Sequence, residues 1–238
     1  MDDLPDKKKP NTVTQDYKLV HSFYRLDIRP KRLMLLAVSH VDPLRSPRQQ
    51  SPCKITITAE QWVATFPDVS NPYRDLKDSG EALMGKYVHL KSSRSGKWIH
   101  WVRDVEYHDD QGRITVHIEE DLLPYLCAPG GLVQFSTLNL VNVAGLRTFA
   151  SIRLYELLNQ FKLSGIRQIG LDELRKLLAT EKAYPLFYEL RRWVLEKAVK
   201  EINAKTDLIV DFKTVKTGRS VTGIKFYVTE DQQKDLFS

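Results

Sequence analysis

The sequence predicts an α+β protein in which one order of elements, three helices and then a β-hairpin, occurs twice. Three observations carry that prediction. Helix-start signals recur at matched spacing: Thr58 to Tyr73 is 15 positions and Gly170 to Tyr184 is 14. Each helical series ends in two runs of alternating apolar residues around a short polar turn, the pattern of a hairpin. The charge is also divided. The chain holds 36 Lys and Arg against 30 Asp and Glu; residues 1–144 carry 19 and 18, residues 145–228 carry 16 and 9, and the last ten carry 1 and 3. A near-neutral part is thus joined to one of net +7, an asymmetry that fits a polyanion-binding unit attached to a second unit. The boundary falls near residue 144, giving domains over 13–144 and 145–230 with polar tails at 1–12 and 231–238.

In the first domain, residues 30–41 have helical periodicity, and 43–54, with three prolines, read as a loop. Thr58-Ala59-Glu60-Gln61 is a capping box that opens a short helix stopped by Pro67. Asn71-Pro72 supplies an N-cap and a proline at the first helical position, and a third helix runs to about Met84. Residues 86–91 read as a strand. Residues 97–107 and 113–119 alternate around Asp109-Asp110-Gln111-Gly112 and read as the first hairpin. Pro129-Gly130-Gly131 is a break, followed by an extended apolar run over 132–143.

The second domain begins with a helix over 146–161 that aligns Ile152, Tyr155, Leu158 and Phe161 on one face. A short extended piece at 166–169 leads to a helix over 172–178 with acids in its first turn, favourable to the helix dipole. A long helix runs from Tyr184-Pro185 to about Ala204, and a hairpin over 208–215 and 220–228 turns at Lys216-Thr217-Gly218-Arg219. A helix-turn-helix followed by a β-hairpin wing is a winged helix, so the sequence predicts two winged-helix domains in tandem.

On a wheel of 100° per residue, Leu186, Phe187, Leu190, Trp193 and Val194 of the long helix fall on one side and read as core. Tyr184, Tyr188, Arg191 and Arg192 fall on the other. Two guanidiniums and two phenols in the N-terminal half of such a helix suit base edges, because Arg donates to guanine O6 and N7 and Tyr reaches phosphate or a thymine methyl. Lys182 ahead of the helix, and Lys213, Lys216 and Arg219 at the hairpin, suit the phosphate backbone. A solvated Arg-Arg pair near Glu189 and Glu196 is the alternative reading of the helix.

At these residues the chain resembles the initiator Rep protein family, the iteron-binding plasmid replication initiators. The resemblance rests on Ser151-Ile152-Arg153-Leu154-Tyr155-Glu156-Leu157-Leu158 with Phe161-Lys162, and on Phe187-Tyr188-Glu189-Leu190-Arg191-Arg192-Trp193-Val194-Leu195. The wing Lys216-Thr217-Gly218-Arg219-Ser220-Val221-Thr222-Gly223-Ile224-Lys225-Phe226 adds to it. It is strong over 147–228 and looser from about 25. It implies two winged-helix domains, binding to repeated double-stranded origin sites, melting of AT-rich DNA, and recruitment of the host replication initiator and helicase. It also implies a monomer–homodimer equilibrium in which the dimer represses its own gene and the first domain mediates dimerisation. By resemblance Arg191 and Arg192 read bases, Lys182, Lys213, Lys216 and Arg219 hold backbone, and Arg74, Lys77, Arg94 and Lys97 of the first domain contact the rest of each site.

Other function classes lose support. No run approaches the ~18 apolar residues of a membrane span, and the start of the chain lacks the apolar stretch of a signal peptide; the cytoplasm is the expected location. Two cysteines, Cys53 and Cys127, make neither a disulfide framework nor a Cys-based zinc site. There is no P-loop. The six histidines form no His-x-His pair, although His100 and His117 are expected on opposed strands. A non-catalytic protein without metal or cofactor is therefore expected. A winged-helix repressor without initiator activity, and a rolling-circle nicking enzyme, stay open as alternatives.

Overall fold

The computed structural model describes residues 11–91, 95–131 and 134–231. Its first half contains β1 (Thr12–Asp16), α1 (Tyr17–Val20), α2 (Ile28–Val38), α3 (Pro47–Gln50), β2 (Lys54–Thr58), α4 (Ala59–Thr65) and α5 (Pro72–Leu83). Then follow β3 (Tyr87–Lys91), β4 (Gly96–His100), β5 (Val102–His108), β6 (Arg113–Ile118), β7 (Phe135–Asn139) and α6 (Leu140–Ala144). The second half contains α7 (Phe149–Asn159), β8 (Ile166–Gly170), α8 (Leu171–Leu177) and α9 (Phe187–Leu190). A π turn (Arg191–Leu195) joins α9 to α10 (Glu196–Lys205), before β9 (Leu208–Thr217) and β10 (Ser220–Glu230).

The internal repeat is visible in the sheets. One three-stranded sheet has the order β2-β6-β5 and the other β8-β10-β9. In both, the strand entering the helix pair lies against the last strand of the hairpin. The helices correspond in order: α2 with α7, α4 with α8, α5 with the α9–α10 helix. The expected caps form. Thr58 Oγ1 accepts from Gln61 N at 3.1 Å while Gln61 Oε1 accepts from Thr58 N at 3.0 Å, and Asn71 Oδ1 accepts from Arg74 N at 3.3 Å.

Several expectations need correction. The run 97–107 is not one strand. β4 pairs with β3, as a ribbon inserted in the first repeat, and only β5 pairs with β6. The cause is the consecutive burial of Trp101 and Val102, which breaks the alternation and turns the chain between sheets. His100 therefore opposes Tyr87, while His117 takes Asp104 as partner at 3.1 Å. The extended run over 132–143 gives way at Asn139, whose side chain accepts from Val141 N and starts α6. Residues 132–133 lie outside the described residues. The helix expected over 146–161 starts at Phe149, capped by Thr148. The segment read as an N-terminal tail already pairs at Thr12, opposite Asn139 of β7.

Helix α7 is buried on every side, from Ser151 through Asn159, rather than along one face. That burial takes two charged side chains with it. Glu156 Oε1 meets Lys31 Nζ of α2 at 2.6 Å, and its Oε2 meets Arg153 NH1 at 2.8 Å. Arg153 also donates to the carbonyls of Val20 and Ser22 at 2.8 and 3.1 Å and of Leu177 in α8 at 3.4 Å. One guanidinium thus ties α7 to both repeats. Arg32 of α2 makes a second tie, bridging Asp68 at 2.9 Å and the carbonyls of Ala144 and Leu146 at 3.2 and 3.0 Å. These polar junctions, with the apolar core around them, fix the two halves against each other.

Candidate nucleic-acid interface

The second repeat presents its long helix beside its hairpin. Arg175 of α8 sets the entry: its NH1 donates to the Tyr184 carbonyl at 2.6 Å and its NH2 to the Pro185 carbonyl at 3.2 Å. Tyr184 itself has a left-handed φ of 55°, a conformation that a non-glycine residue holds only when its surroundings impose it. Arg175 is that constraint, and the sequence gives no sign of it because its partners are backbone oxygens.

The π turn then changes the phase of the helix. A π turn carries an extra residue, so the buried series steps from Leu190 to Leu195, with Val194 beside it, and continues through Ala198 and Ile202. Arg191, Arg192 and Trp193 are all left outside. Trp193, expected in the core, is 46% exposed and carries Arg192 at 5.2 Å and Lys197 at 4.5 Å over its ring. Leu186, placed on the same core side, is also exposed. A wheel drawn at a constant 100° fails at this turn. Trp193→Ala is therefore expected to change stability by about 1 kcal/mol or less, whereas Leu195→Ala costs about 2–5 kcal/mol. Thermal melting of the two variants checks the pair.

Tyr188 and Arg192 are exposed, as the DNA-reading side requires. Arg191 is exposed too, but its Nε donates to Glu196 Oε1 at 2.9 Å, and its guanidinium lies 5.9 Å from the ring of Phe212 in the wing. The solvated-pair reading is thus realised at Arg191, through Glu196. The wing turns tightly between Thr217 and Ser220, register partners, and Gly218 holds a φ of 60° that favours glycine. Lys216 and Arg219 at the tip are exposed. Lys213 and Lys225 are register partners, each within 5.7 Å of the Tyr227 ring. Lys225 was missed because its place opposite Lys213 depends on a bulge between Val221 and Gly223.

The first repeat is arranged otherwise. Lys77 of α5 meets Asp109 at the tip of its own hairpin at 3.0 Å, and Tyr73 donates to the same carboxylate at 2.6 Å. That hydrogen bond pushes the Tyr73 hydroxyl up to about 12 and, with Lys77, holds Asp109 below the usual carboxylate range. Arg74 faces Asp78 at 3.9 Å, and Lys97 meets Asp121 at 2.8 Å. Arg94 lies outside the described residues. The three described cations assigned here to DNA each have an acidic neighbour, so this helix and hairpin present a partly neutralised surface. Among the described residues, no helix is long and apolar enough to cross a membrane.

Comparison with known proteins accords with this two-part geometry. A family model described as initiator replication protein, WH1, matches residues 12–159, and one described as initiator Rep protein, WH2, matches residues 170–228. The chain belongs to the initiator replication protein family. Its two halves are the winged-helix domains of that family. Among similar proteins, the PI protein of Escherichia coli is 25% identical over 266 residues, covering 97% of this chain and 87% of its own. An uncharacterized 27.6 kDa protein of Escherichia coli is 26% identical over 240 residues, covering 94% of this chain and 97% of its own. A crystal structure of the Pi initiator protein in complex with iteron DNA superposes with a TM-score of 0.81 at 24% identity, covering 94% of this chain and 99% of that one. At that identity the superposition establishes the fold, and the activity is argued from the site.

Proposed function

We propose that this protein is a plasmid replication initiator that binds repeated double-stranded origin sites through its second winged helix. The observation that carries the reading is the pairing of an exposed recognition helix, with Arg192 and Tyr188 outward, with a wing whose Lys216 and Arg219 have no acidic partner among the described residues. The relation to the PI protein, and the iteron DNA held by the Pi initiator in its crystal structure, support the same ligand.

In this reading Arg192, Tyr188 and Tyr184 contact base edges, joined by Arg191 when DNA displaces Glu196. Lys182, Lys213, Lys216 and Arg219 hold phosphates. The domains divide as 13–144 and 145–230, and the first serves mainly as a homodimer surface, in keeping with the acid-paired cations of its helix and hairpin. On the origin the monomer promotes melting of AT-rich DNA and helps load the host replication initiator and helicase; the dimer represses its own gene. A strand-opening footprint on a supercoiled plasmid carrying the DNA beside this gene tests the proposal. An initiator distorts the duplex without cutting it. A plain repressor protects it without opening, and a nicking enzyme leaves a covalent 5′ adduct; either result overturns the proposal.

Readout logic gives a separate expectation. Arg192→Ala costs about 1–3 kcal/mol of binding and relaxes preference at one base pair, whereas Lys216→Ala weakens all sequences alike. Competition binding against sites changed one base pair at a time measures both. Equal, sequence-independent losses would rule out base readout by the helix.

A further inference from the structure

The π turn sets the indole of Trp193 outside the core, directly after Arg192. The ring lines a cleft of about 290 Å³ with Tyr184, Phe149 and Leu178. It also lies under two cations, Arg192 at 5.2 Å and Lys197 at 4.5 Å. Among the described residues neither cation belongs to an ion pair. Arg191, one position earlier, is held instead by the Glu196 carboxylate at 2.9 Å. Two adjacent guanidiniums of one helix are thus held by different chemistry.

The two kinds of partner differ in what they leave available. A carboxylate accepts from the in-plane N–H groups of a guanidinium, the same donors that a guanine edge requires. Arg191 must therefore give up Glu196 before it can read a base. An aromatic ring attracts the cation through its π face and takes none of those donors. Arg192 is restrained and still has its donors free. A long side chain that is already restrained loses less conformational freedom when it binds.

We infer that Trp193 is a positioning residue for sequence readout, its indole holding the Arg192 guanidinium where it meets a base edge. The inference rests on base reading by Arg192 under the proposed function. It adds the reason that Arg192, rather than Arg191, is ready to read in the free protein. It also gives a role to a large apolar ring that the fold leaves half outside, where the core gains little from it.

The test is a double-mutant cycle on the full chain. Fluorescence anisotropy follows a labelled duplex origin repeat in competition with repeats changed one base pair at a time. Trp193→Ala lowers affinity for the repeat by about threefold to tenfold and relaxes preference at the base pair that Arg192→Ala identifies. In the Arg192→Ala background the same change has almost no further effect. Trp193→Phe, which keeps a ring, retains much of the affinity and preference. Trp193→Leu, apolar without a ring, behaves as Trp193→Ala. Several results overturn the inference: full affinity and preference in Trp193→Ala, rescue by leucine, or an undiminished effect in the Arg192→Ala background, which would mean that the indole touches DNA itself. So does an effect that vanishes only in the Lys197→Ala background, since the ring would then act through Lys197. Arg192→Ala with every preference intact would defeat base reading by Arg192 and this inference with it. A base-specific loss for Arg192→Ala beside an unchanged Trp193→Ala would overturn the inference alone and leave the reading standing.

Discussion

Replacing Glu156 with alanine is expected to destabilise the fold by about 3–5 kcal/mol. The carboxylate is fully buried in α7 and faces two buried cations, Lys31 and Arg153. Its removal strands both, and water cannot reach either without opening the junction between the domains. The group is unequally compensated, two positive charges sharing one negative. Burial alone would raise the Glu156 carboxyl, but the two cations together hold it below its ordinary value. Burial outweighs the shared carboxylate at Lys31, whose ammonium is pulled down to about 8. The sign follows from linkage. An acid depressed in the native state stabilises it above the unfolded carboxyl value, and that stability is lost as pH falls through the native one. A lysine lowered to about 8 binds its proton less tightly when folded, so its charge opposes folding at neutral pH and that cost fades between about 8 and 10.5. Urea unfolding at a series of pH values checks this. Glu156→Ala shows a lower midpoint at neutral pH, and Glu156→Gln loses the acid-side decline due to this group. A loss below about 1 kcal/mol for the alanine variant would show that the junction does not depend on the ion triad.

The parts of this fold legible in the sequence are those fixed by local chemistry. The capping box at Thr58 and Gln61, the Asn71-Pro72 start and the Gly218 turn each place their own backbone, and each forms as read. Positions decided by distant partners were misread. The run through Trp101 alternates well enough for a single strand, and only the packing of Trp101 edge-on against Tyr24 at 4.9 Å shows why the chain leaves one sheet there for another. The site divides the same way. Arg192, Tyr188 and the wing cations stand exposed where periodicity put them. Trp193 does not obey it, because the π turn adds a residue that no propensity announces. For Arg191 the sequence leaves base readout and a solvated pair near Glu189 and Glu196 both open; the structure pairs it with Glu196, five positions on, outside the usual α-helical pairing distance and brought near through that same turn.

Raising monovalent salt from about 50 to 200 mM is expected to lower affinity for a duplex origin repeat by about 10³. Six cations at the entry and N-terminal half of the recognition helix and on the wing, Lys182, Arg192, Lys213, Lys216, Arg219 and Lys225, have no carboxylate partner among the described residues. If they neutralise about six phosphates, counterion release gives a log–log slope of about −5, and a fourfold change in salt raised to that power gives the thousandfold loss. Arg191 adds less, because its gain on phosphate is offset by the loss of Glu196. The first domain adds little from α5 and its hairpin, where Asp109 already meets Lys77. Anisotropy titrations across salt concentrations give the slope directly. Lys216→Ala and Arg219→Ala each reduce its magnitude by about 1, while Lys77→Ala leaves it unchanged. A slope near zero would defeat the electrostatic account of the second domain. A slope that fell as much for Lys77→Ala as for Lys216→Ala would mean that DNA breaks the Lys77–Asp109 pair and that both domains grip the duplex.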